Sequence, residues 1–372
     1  MSSVRVSARR LEFLFAALLA FANALRAAKA DEPEWPQFHG PRRDNTSSET
    51  GLLKRWPAGG PKLAWAARGI GSGYSSVAIA RGLIYTTGNI GEDTVISALA
   101  LDGSPVWKAK NGPAYKRSYP GTRSTPTVDG EKLIVVPGGE KIGMVALGKL
   151  TGEAIWTCEG TRDKPGYDSA IVFEHGGIRQ AVTLLSRSVV GVDAETGALL
   201  WQTDHEAYYE ETIAVPIFLD GHVIVSTLAA GTRSLALSAH DGKVSVREAW
   251  RNDRLDNQHG GILEVDGHIY GCSSRGGPGP WMCLEAKTGA MVWGHRGIGR
   301  ASFTYADGHL YASSEDGVVA LVRPSPRGFE LVSEFRIPKG GAGPTWAHPV
   351  VCGGRLYVRH DDILYCYAVR DG

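Results

Sequence analysis

The chain has 372 residues, of which 43% are hydrophobic and 21% charged, a composition typical of a globular protein and not of a disordered one. Its 40 Lys and Arg nearly balance 39 Asp and Glu. The formal net charge of +1 therefore provides no field that would gather nucleic acid or an anionic membrane surface. Glycine supplies 48 residues without a collagen-like period, which indicates many tight turns and favours an all-β protein.

Residues 1–30 have the three-part pattern of a secretory signal. Arg5, Arg9 and Arg10 precede an apolar run from Phe13 to Leu25, and the segment ends in the small-residue pattern 28–30 (Ala-Lys-Ala). The apolar run is too short to span about 30 Å of hydrocarbon. We therefore expect a cleaved signal peptide, export to the periplasm or the medium, and no membrane span after cleavage.

Residues 31–60 are rich in Pro, Gly and polar residues. They are expected to form an irregular N-terminal extension that wraps the outside of the protein. Residues 61–372 are expected to form one domain, because a single repeat runs through them.

A turn followed by an aromatic residue recurs along the domain at intervals of 42 to 49 residues. In four copies a glycine lies four residues before the tryptophan, as in KLTGEAIW and AKTGAMVW. These side chains occupy one repeated position, so we predict that they dock neighbouring units; they are Trp65, Trp107, Trp156, Trp201, Trp250, Trp293 and Phe335.

Each interval also contains an earlier hairpin signal, such as DGHVI at Asp220, DGHIY at Asp266 and DGHLY at Asp307. Asp-Gly between β-rich runs is a strong hairpin signal, because the primed turn needs positive φ. Four antiparallel strands in about 45 residues are the sequence pattern of a propeller blade. The repeats predict seven blades, with eight as the alternative. The last unit lacks one strand, which residues 62–65 would supply by pairing the two termini.

The copy VDAETGALLW (Val192 to Trp201) resembles the repeat of pyrroloquinoline-quinone (PQQ) dehydrogenases, which also builds the propeller lipoprotein of the outer-membrane β-barrel assembly machinery. The segments WPQFHGPRRDN (Trp35 to Asn45), STPTVDG and SEDGVVALV are similar to exported PQQ-like repeat proteins common in planctomycete-type bacteria. The resemblance covers residues 35–370. It is specific for the fold and only weakly specific for the function.

A resemblance to the quinoprotein alcohol or sugar dehydrogenases implies PQQ with Ca²⁺ as cofactor. Those enzymes are longer and carry adjacent cysteines over the quinone, whereas none of the five cysteines here are adjacent and no C-x-x-C-H haem motif occurs. We therefore predict a non-catalytic binding or scaffold module for a protein, a glycan or a small ligand. A PQQ-dependent dehydrogenase is the alternative. A polysaccharide hydrolase or lyase would need paired carboxylates that the sequence does not indicate.

The first strand of each blade should begin at one mouth of the central channel, so the residues just before those strands define a candidate ligand site. They include two arginines, two histidines and two large aromatic residues, a set that suits a planar or anionic ligand or a peptide. The predicted site residues are Tyr74, Arg123, Asp168, His259, Arg300, Trp346 and His348. No metal ligands and no catalytic residues are predicted. The protein is expected to be a monomer.

The five cysteines are an odd number for an exported protein. Cys272 and Cys283 fall on the second and third strands of one predicted blade and could form a disulfide. Buried free thiols throughout are the other interpretation.

Overall fold

A computed structural model describes residues 33–370 except 117, 130–131, 135–144, 148–153, 159, 162, 165 and 275–280. The predicted signal segment, residues 1–30, lies outside the described residues. The described part of the chain contains no helix with the length and apolar character needed to cross a bilayer.

The described regular structure is almost entirely β. The first strands along the chain are β1 (Thr46–Ser47), β2 (Lys62–Arg68), β3 (Ala78–Ala80), β4 (Leu83–Ile90), β5 (Asp93–Ala100), β6 (Pro105–Pro113), β7 (Thr127–Asp129), β8 (Lys132–Ile134), β9 (Val145–Leu147) and β10 (Ala154–Thr157). Next come β11 (Ile171–His175), β12 (Ile178–Leu184), β13 (Ser188–Asp193), β14 (Leu199–Asp204), a 3-10 turn (Tyr208–Glu210), β15 (Ile217–Leu219), β16 (His222–Thr227), β17 (Gly231–His240) and β18 (Lys243–Asn252). The last are β19 (Ile262–Val265), β20 (His268–Cys272), β21 (Trp281–Glu285), β22 (Met291–His295), β23 (Ala301–Ala306), β24 (His309–Ser314), β25 (Val318–Arg323), β26 (Glu330–Arg336), β27 (Val350–Cys352), β28 (Arg355–His360) and β29 (Ile363–Ala368).

The strands group into consecutive antiparallel units. Units 1, 3, 4, 5 and 6 are the four-stranded meanders β3–β6, β11–β14, β15–β18, β19–β22 and β23–β26, and unit 7 has the order β2-β29-β28-β27. Unit 2 is described as two hairpins, β7-β8 and β9-β10, with undescribed residues between them. The count of seven blades and the closure of the ring therefore stay predictions.

In unit 7 the ladder joins the two ends of the chain. Strand β2 pairs with β29 in a register that runs from Lys62 opposite Ala368 to Arg68 opposite Ile363. The last unit thereby receives its fourth strand from the beginning of the domain, so one exposed edge of the sheet is covered.

The Asp-Gly hairpin turns have the predicted conformation. At Asp220-Gly221 the φ angles are 47° and 78°, and at Asp266-Gly267 they are 49° and 79°. Consecutive positive φ values give the primed turn, whose twist matches the twist of the flanking strands. The hairpin signals in the sequence are confirmed at these positions.

The core lies between the units. One cluster of buried side chains joins units 3 and 4, another joins units 5 and 6, and a third joins units 7 and 1. Each sheet therefore buries apolar residues against its neighbours, and stability comes from face-to-face packing of adjacent blades.

Four of the repeated tryptophans make the same contact with the following unit. The indole Nε1 donates a hydrogen bond to a backbone carbonyl in the turn that precedes that unit's last strand. The pairs are Trp65 with Leu101 (3.0 Å), Trp156 with Ala194 (3.1 Å), Trp250 with Ala286 (3.1 Å) and Trp293 with Ser325 (2.8 Å). In three of these turns a glycine lies against the indole, so close that a Cβ would come within 2.3 to 2.6 Å of ring atoms. The glycine of one copy thus packs on the tryptophan of the preceding copy, which explains why glycine and tryptophan recur together in the repeat.

The other three members of the set differ. Trp201 packs on side chains of units 3 and 4 while its indole donates to Gln180 Oε1 of its own unit, 2.8 Å away. Trp107 is 40% exposed, and the turn that it is expected to contact falls on undescribed residues. Phe335 packs edge-on against Tyr367 of unit 7, with ring centroids 4.8 Å apart.

The N-terminal extension meets the expectation that it wraps the outside only in its second half, where Arg55 and Trp56 bond to Val332 and Ser333 on the outer strand β26. Its first half departs from it. Trp35 exchanges two backbone hydrogen bonds of 2.8 Å with Ile79 in β3, and the Pro36 carbonyl accepts from the amide of Val128 in β7. Strand β1 then pairs in parallel with β23. These partners are first strands of three units, and the first strands of neighbouring units contact each other. Residues 35–47 therefore lie among the innermost strands, where they satisfy backbone groups at the centre of the protein.

Candidate functional site

All seven predicted site residues precede the first strands of their units, and six of them are linked by side-chain contacts. Tyr74 precedes β3, Arg123 precedes β7, His259 precedes β19, Arg300 precedes β23, and both Trp346 and His348 precede β27. Because these strands converge, the loops that lead into them meet. We call the site that these six residues and their loops form the channel mouth.

Trp346 is the centre of an aromatic cluster in the channel mouth. Its ring centroid lies 4.9 Å from that of Tyr74, 4.6 Å from Tyr119 and 5.5 Å from His259. Tyr119 is 53% exposed and has a φ of 51°, an uncommon conformation for a tyrosine. Strained backbone of this kind often occurs in binding loops. Tyr119 was missed at the sequence level because it lies in the middle of a loop, away from the repeated positions.

Glu315 connects the charged groups of the channel mouth. Its Oε2 lies 2.7 Å from Arg300 Nη2, and its Oε1 accepts a hydrogen bond of 2.6 Å from the indole Nε1 of Trp346. Glu315 lies in the turn between β24 and β25, which comes to the same end of the unit as the loop before β23. In each four-stranded unit the turn between the second and third strands lies at the same end as the loop before the first strand. The repeat therefore indicates these turns, too, as candidate site positions.

His259 lies beneath the aromatic cluster without a hydrogen-bond partner. Its side chain is 9% exposed, and its Nδ1 is 3.7 Å from Glu315 Oε1, beyond hydrogen-bond distance. Neither ring nitrogen has a partner among the described residues. Burial, together with the nearby His348 and Arg300, lowers the pKa of His259 to about 3, so the ring is neutral at physiological pH.

His348 lies deeper and joins the channel mouth to the N-terminal extension. Its Nε2 donates to the carbonyl of His259 at 2.8 Å, which leaves Nδ1 as the acceptor of the neutral ring. His39 Nε2 and Asn45 Nδ2 lie 3.2 and 3.3 Å from that Nδ1. Burial lowers the pKa of His348 to about 4. His348 is therefore a structural link and not a surface for ligands.

Arg123 shapes the loop that carries Tyr119. Its guanidinium donates hydrogen bonds of 3.1 to 3.2 Å to the carbonyls of Gly121, Ser118 and Tyr119. It also lies 4.5 Å from the ring centroid of Tyr115, within the range of a cation–π contact. Most of its donors are thereby engaged within the protein.

Asp168 precedes β11, and its described hydrogen bonds lie within its own unit, without a contact to the other six predicted residues. Its Oδ2 accepts hydrogen bonds from Thr183 Oγ1 at 2.9 Å and from the Leu184 amide at 3.0 Å. Asp256 makes the matching contact with the Ser274 amide in unit 5. The residue keeps some exposure, but its carboxyl group is enclosed, and this burial raises the pKa to about 7. Asp168 ties a loop to the end of a strand.

An open cleft of about 420 Å³ lies over the channel mouth. This volume is within the range of about 300–1,000 Å³ that is usual for small-ligand sites. Its walls include Tyr119, Arg300, Glu315, Asp316, Trp346 and His360.

The disulfide considered between Cys272 and Cys283 is not formed, and both residues are buried free thiols. The ladder between β20 and β21 places Cys272 opposite Trp281 and Cys283 opposite Tyr270. The two cysteines are therefore two positions out of register.

The described residues of the channel mouth do not fit PQQ with Ca²⁺. Calcium needs six to eight oxygen ligands, and within the described part of the chain no group of three or more His, Cys, Asp or Glu side chains is arranged to hold a metal ion. The charge of Glu315 is balanced by Arg300, and its other oxygen accepts from Trp346, so this carboxylate offers a weak ligand to a cation. A quinone tricarboxylate would need unpaired cations, and the guanidinium groups of Arg123 and Arg300 are engaged.

Stability is expected to fall as the pH drops below about 6.5. His259 and His205 have pKa values lowered to about 3, and His348 to about 4, chiefly by burial, and burial also lowers the pKa of His39. The unfolded chain takes up these protons near pH 6.5, whereas in the folded chain His259, His205 and His348 do not until pH 3 to 4 and His39 does so only well below 6.5. Each histidine therefore contributes stability above pH 6.5 that is lost by about 1.4 kcal/mol per pH unit below it.

Asp168 has the opposite effect, because its pKa is raised in the folded state and its protonation favours folding as the pH falls from 7. Its contribution to the pH dependence of the free energy of unfolding therefore offsets that of one of the four histidines. Urea unfolding at pH 7.0, 6.0 and 5.0 measures the balance. The variant His348→Gln should have a shallower pH dependence than the natural chain. A free energy of unfolding that is constant over this range would contradict the burial of these neutral rings.

Known proteins share this architecture. The quinohemoprotein alcohol dehydrogenase of Comamonas testosteroni matches with a TM-score of 0.52 at 11% identity, over 94% of this chain and 82% of that one. BamB of Moraxella catarrhalis matches with a TM-score of 0.48 at 15% identity, over 87% of this chain and 96% of that one. The Neurospora crassa Pan2 WD40 domain matches with a TM-score of 0.49 at 8% identity, over 88% and 98%. The dehydrogenase likeness shows the fold, and the predicted all-β propeller of four-stranded antiparallel blades is confirmed.

No curated protein matches the sequence. A family model, PQQ_2, described as outer membrane protein assembly factor BamB, matches residues 48–170 and 167–267. These two matches together span more than half of the chain and include repeated units 1 to 4. The predicted resemblance to PQQ-like repeat proteins is therefore confirmed, and the chain belongs to the PQQ-like repeat family of β-propellers that this model describes.

Proposed function

We propose that the protein is an exported, non-catalytic binding module that takes its partner at the channel mouth. The observation that carries the proposal is the cleft itself, in which the rings of Trp346 and the exposed Tyr119 lie 4.6 Å apart and tilted by 53°, beside the ion pair of Arg300 and Glu315. Aromatic side chains supply a large contact area at low entropic cost, and a few polar groups beside them fix orientation.

The charged groups of the channel mouth support binding more than catalysis. A catalytic acid or base needs a titratable group that reaches its substrate with a matched pKa. The carboxylate of Glu315 is held by Arg300 and Trp346, and the ring of His259 is enclosed and neutral. The description of the family as an outer membrane protein assembly factor is compatible with a scaffold role outside the cytoplasm.

A quinoprotein dehydrogenase is the second candidate, because the alcohol dehydrogenase of Comamonas testosteroni shares the fold. Calorimetric titration of the purified protein with PQQ, with and without Ca²⁺, separates the two candidates. The binding-module proposal predicts no Ca²⁺-dependent heat at micromolar protein. Micromolar, Ca²⁺-dependent binding followed by dye-linked oxidation of an alcohol or sugar would overturn it.

A photoreactive residue tests where the partner binds. Replacing Tyr119 with p-benzoyl-phenylalanine should yield a light-dependent adduct in the producing cells, because Tyr119 lies on the wall of the cleft. The same replacement at Leu331, which is 45% exposed on the outer strand β26, is the control. Equal labelling from both positions, or none from Tyr119, would contradict a binding site at the channel mouth.

A further inference from the structure

The charges around the cleft limit the class of ligand that it can hold. Arg300 is paired with Glu315 at 2.7 Å, and Arg123 donates to three backbone carbonyls. The cleft also contains Asp316, which is exposed. An anionic ligand would meet the carboxylates of Glu315 and Asp316, whereas the positive charge of Arg300 is already paired with Glu315. The cleft therefore disfavours ligands with phosphate or carboxylate groups.

A peptide strand is disfavoured for a different reason. Peptides that add to a sheet need an exposed strand edge with unpaired backbone groups. Of the cleft residues named above, only His360 belongs to a strand, and it occupies the end of β28. The innermost edge of β23 is already paired with β1 from the N-terminal extension.

Polar atoms without partners lie in the walls of the cleft. His360 Nε2 donates to the carbonyl of Gly343 at 2.9 Å, which leaves Nδ1 as an acceptor without a described partner. Arg300 Nε also lacks a partner in the described part of the chain, and so do both ring nitrogens of His259, which is nine-tenths buried beneath the aromatic cluster and does not line the cleft. These atoms are closed to solvent, so they make the surroundings of the cleft polar without themselves contacting a ligand in it.

From these features we infer that the channel mouth binds a neutral oligosaccharide, which stacks a sugar ring on Trp346 or Tyr119 while its hydroxyl groups bond to Asp316 and Arg300. A sugar has an apolar face of C–H groups, which carry partial positive charge and pack on the negative face of an aromatic ring. Its hydroxyl groups both donate and accept, so they match a wall that offers the exposed carboxylate of Asp316 and the partly exposed guanidinium of Arg300. This inference rests on the proposed function and names its ligand.

The test is a titration of the full chain with neutral hexasaccharides, namely cellohexaose, xylohexaose and chitohexaose, followed by tryptophan fluorescence and calorimetry. A heparin-derived hexasaccharide is the anionic member of the panel. At least one neutral sugar should bind with a dissociation constant between about 1 µM and 1 mM, and the anionic one should bind more weakly.

Two variants link the binding to the cleft. Trp346→Ala should weaken binding by about tenfold or more because it removes the central ring, and thermal unfolding shows whether it is folded. Asp316→Asn changes only an exposed side chain and should weaken binding by about threefold. Leu331→Ala, on β26, should bind like the natural chain.

Each outcome decides the inference. If no neutral sugar binds, if the anionic sugar binds more tightly, or if Asp316→Asn and a folded Trp346→Ala bind unchanged, the oligosaccharide inference is overturned. The crosslinking from Tyr119 separates this failure from a failure of the proposed function. A protein adduct at Tyr119 without sugar binding would retain the binding module and replace its ligand with a protein, and the absence of both would remove both proposals.

Discussion

Replacing Arg359 with methionine is expected to lower the free energy of unfolding by about 3–5 kcal/mol. Arg359 lies on β28, is 2% exposed, and donates five hydrogen bonds. Four of the acceptors are backbone carbonyls, and three of these, of Gly71, Ser75 and Thr87, belong to unit 1. The guanidinium therefore joins the last unit to the first, and its loss would leave buried carbonyls without donors.

Burial lowers the pKa of Arg359 to about 10, so the side chain still carries its charge at neutral pH. The matched control is Arg355→Met on the same strand, where the side chain is exposed and the expected change is within about 0.5 kcal/mol. Arg359→Lys should fall between the two, because it keeps the charge and loses the fork of donors. Urea unfolding measures all three. A loss for Arg359→Met of less than about 1 kcal/mol relative to the control would contradict this role.

Gly289→Ala is expected to destabilise the protein by about 2–4 kcal/mol. Gly289 has a φ of 70°, and a Cβ there would lie 2.3 Å from the indole of Trp250 in the preceding unit. The cost therefore combines left-handed backbone strain with a collision against a docked tryptophan.

Gly242→Ala separates these two contributions. Gly242 has nearly the same φ, 71°, but a Cβ there would meet nothing within 4 Å. Its cost should be the backbone strain alone, about 1–2 kcal/mol. In a Trp250→Ala background, which itself should cost about 3–5 kcal/mol, the difference between the two glycines should disappear. If the difference persists in that background, Gly289 is not restricted by the indole.

The contacts of the tryptophans show which part of the blade repeat is visible in the sequence. The spacing of Gly197 and Trp201 within one motif predicts a turn and a strand, and both are present. It does not reveal that Gly197 lies against Trp156 of the preceding copy. Turn and strand arise from local φ preferences and alternating burial, whereas the docking partner is set by the packing of one sheet on the next.

The channel mouth was predictable in part for the same reason. Tyr74, His259, Arg300 and Trp346 occupy equivalent repeat positions, so the convergence of the first strands brings them together. Tyr119 and Glu315 complete the site from a loop and from a second kind of turn, which the repeat positions did not include.

The N-terminal extension shows where sequence reasoning fails. Residues 33–60 carry no repeat and few periodic apolar positions, so their composition predicted an irregular outer segment. The structure instead places His39 and Asn45 against His348 at the centre. Local sequence does not encode which distant backbone groups need partners, and only the assembled first strands, with their unpaired inner edges, create that demand.

By itself the sequence determined the all-β class, the blade repeat and its hairpin turns, because these depend on residue spacing and local backbone preference. The tertiary structure alone decided that residues 35–47 of the extension run among the innermost strands, that the hydrogen bonds of Asp168 lie within its own unit, and that Cys272 and Cys283 stay apart. Each of these depends on the register and packing of segments that are distant in the chain or joined by irregular loops, for which a single sequence carries no periodic signal.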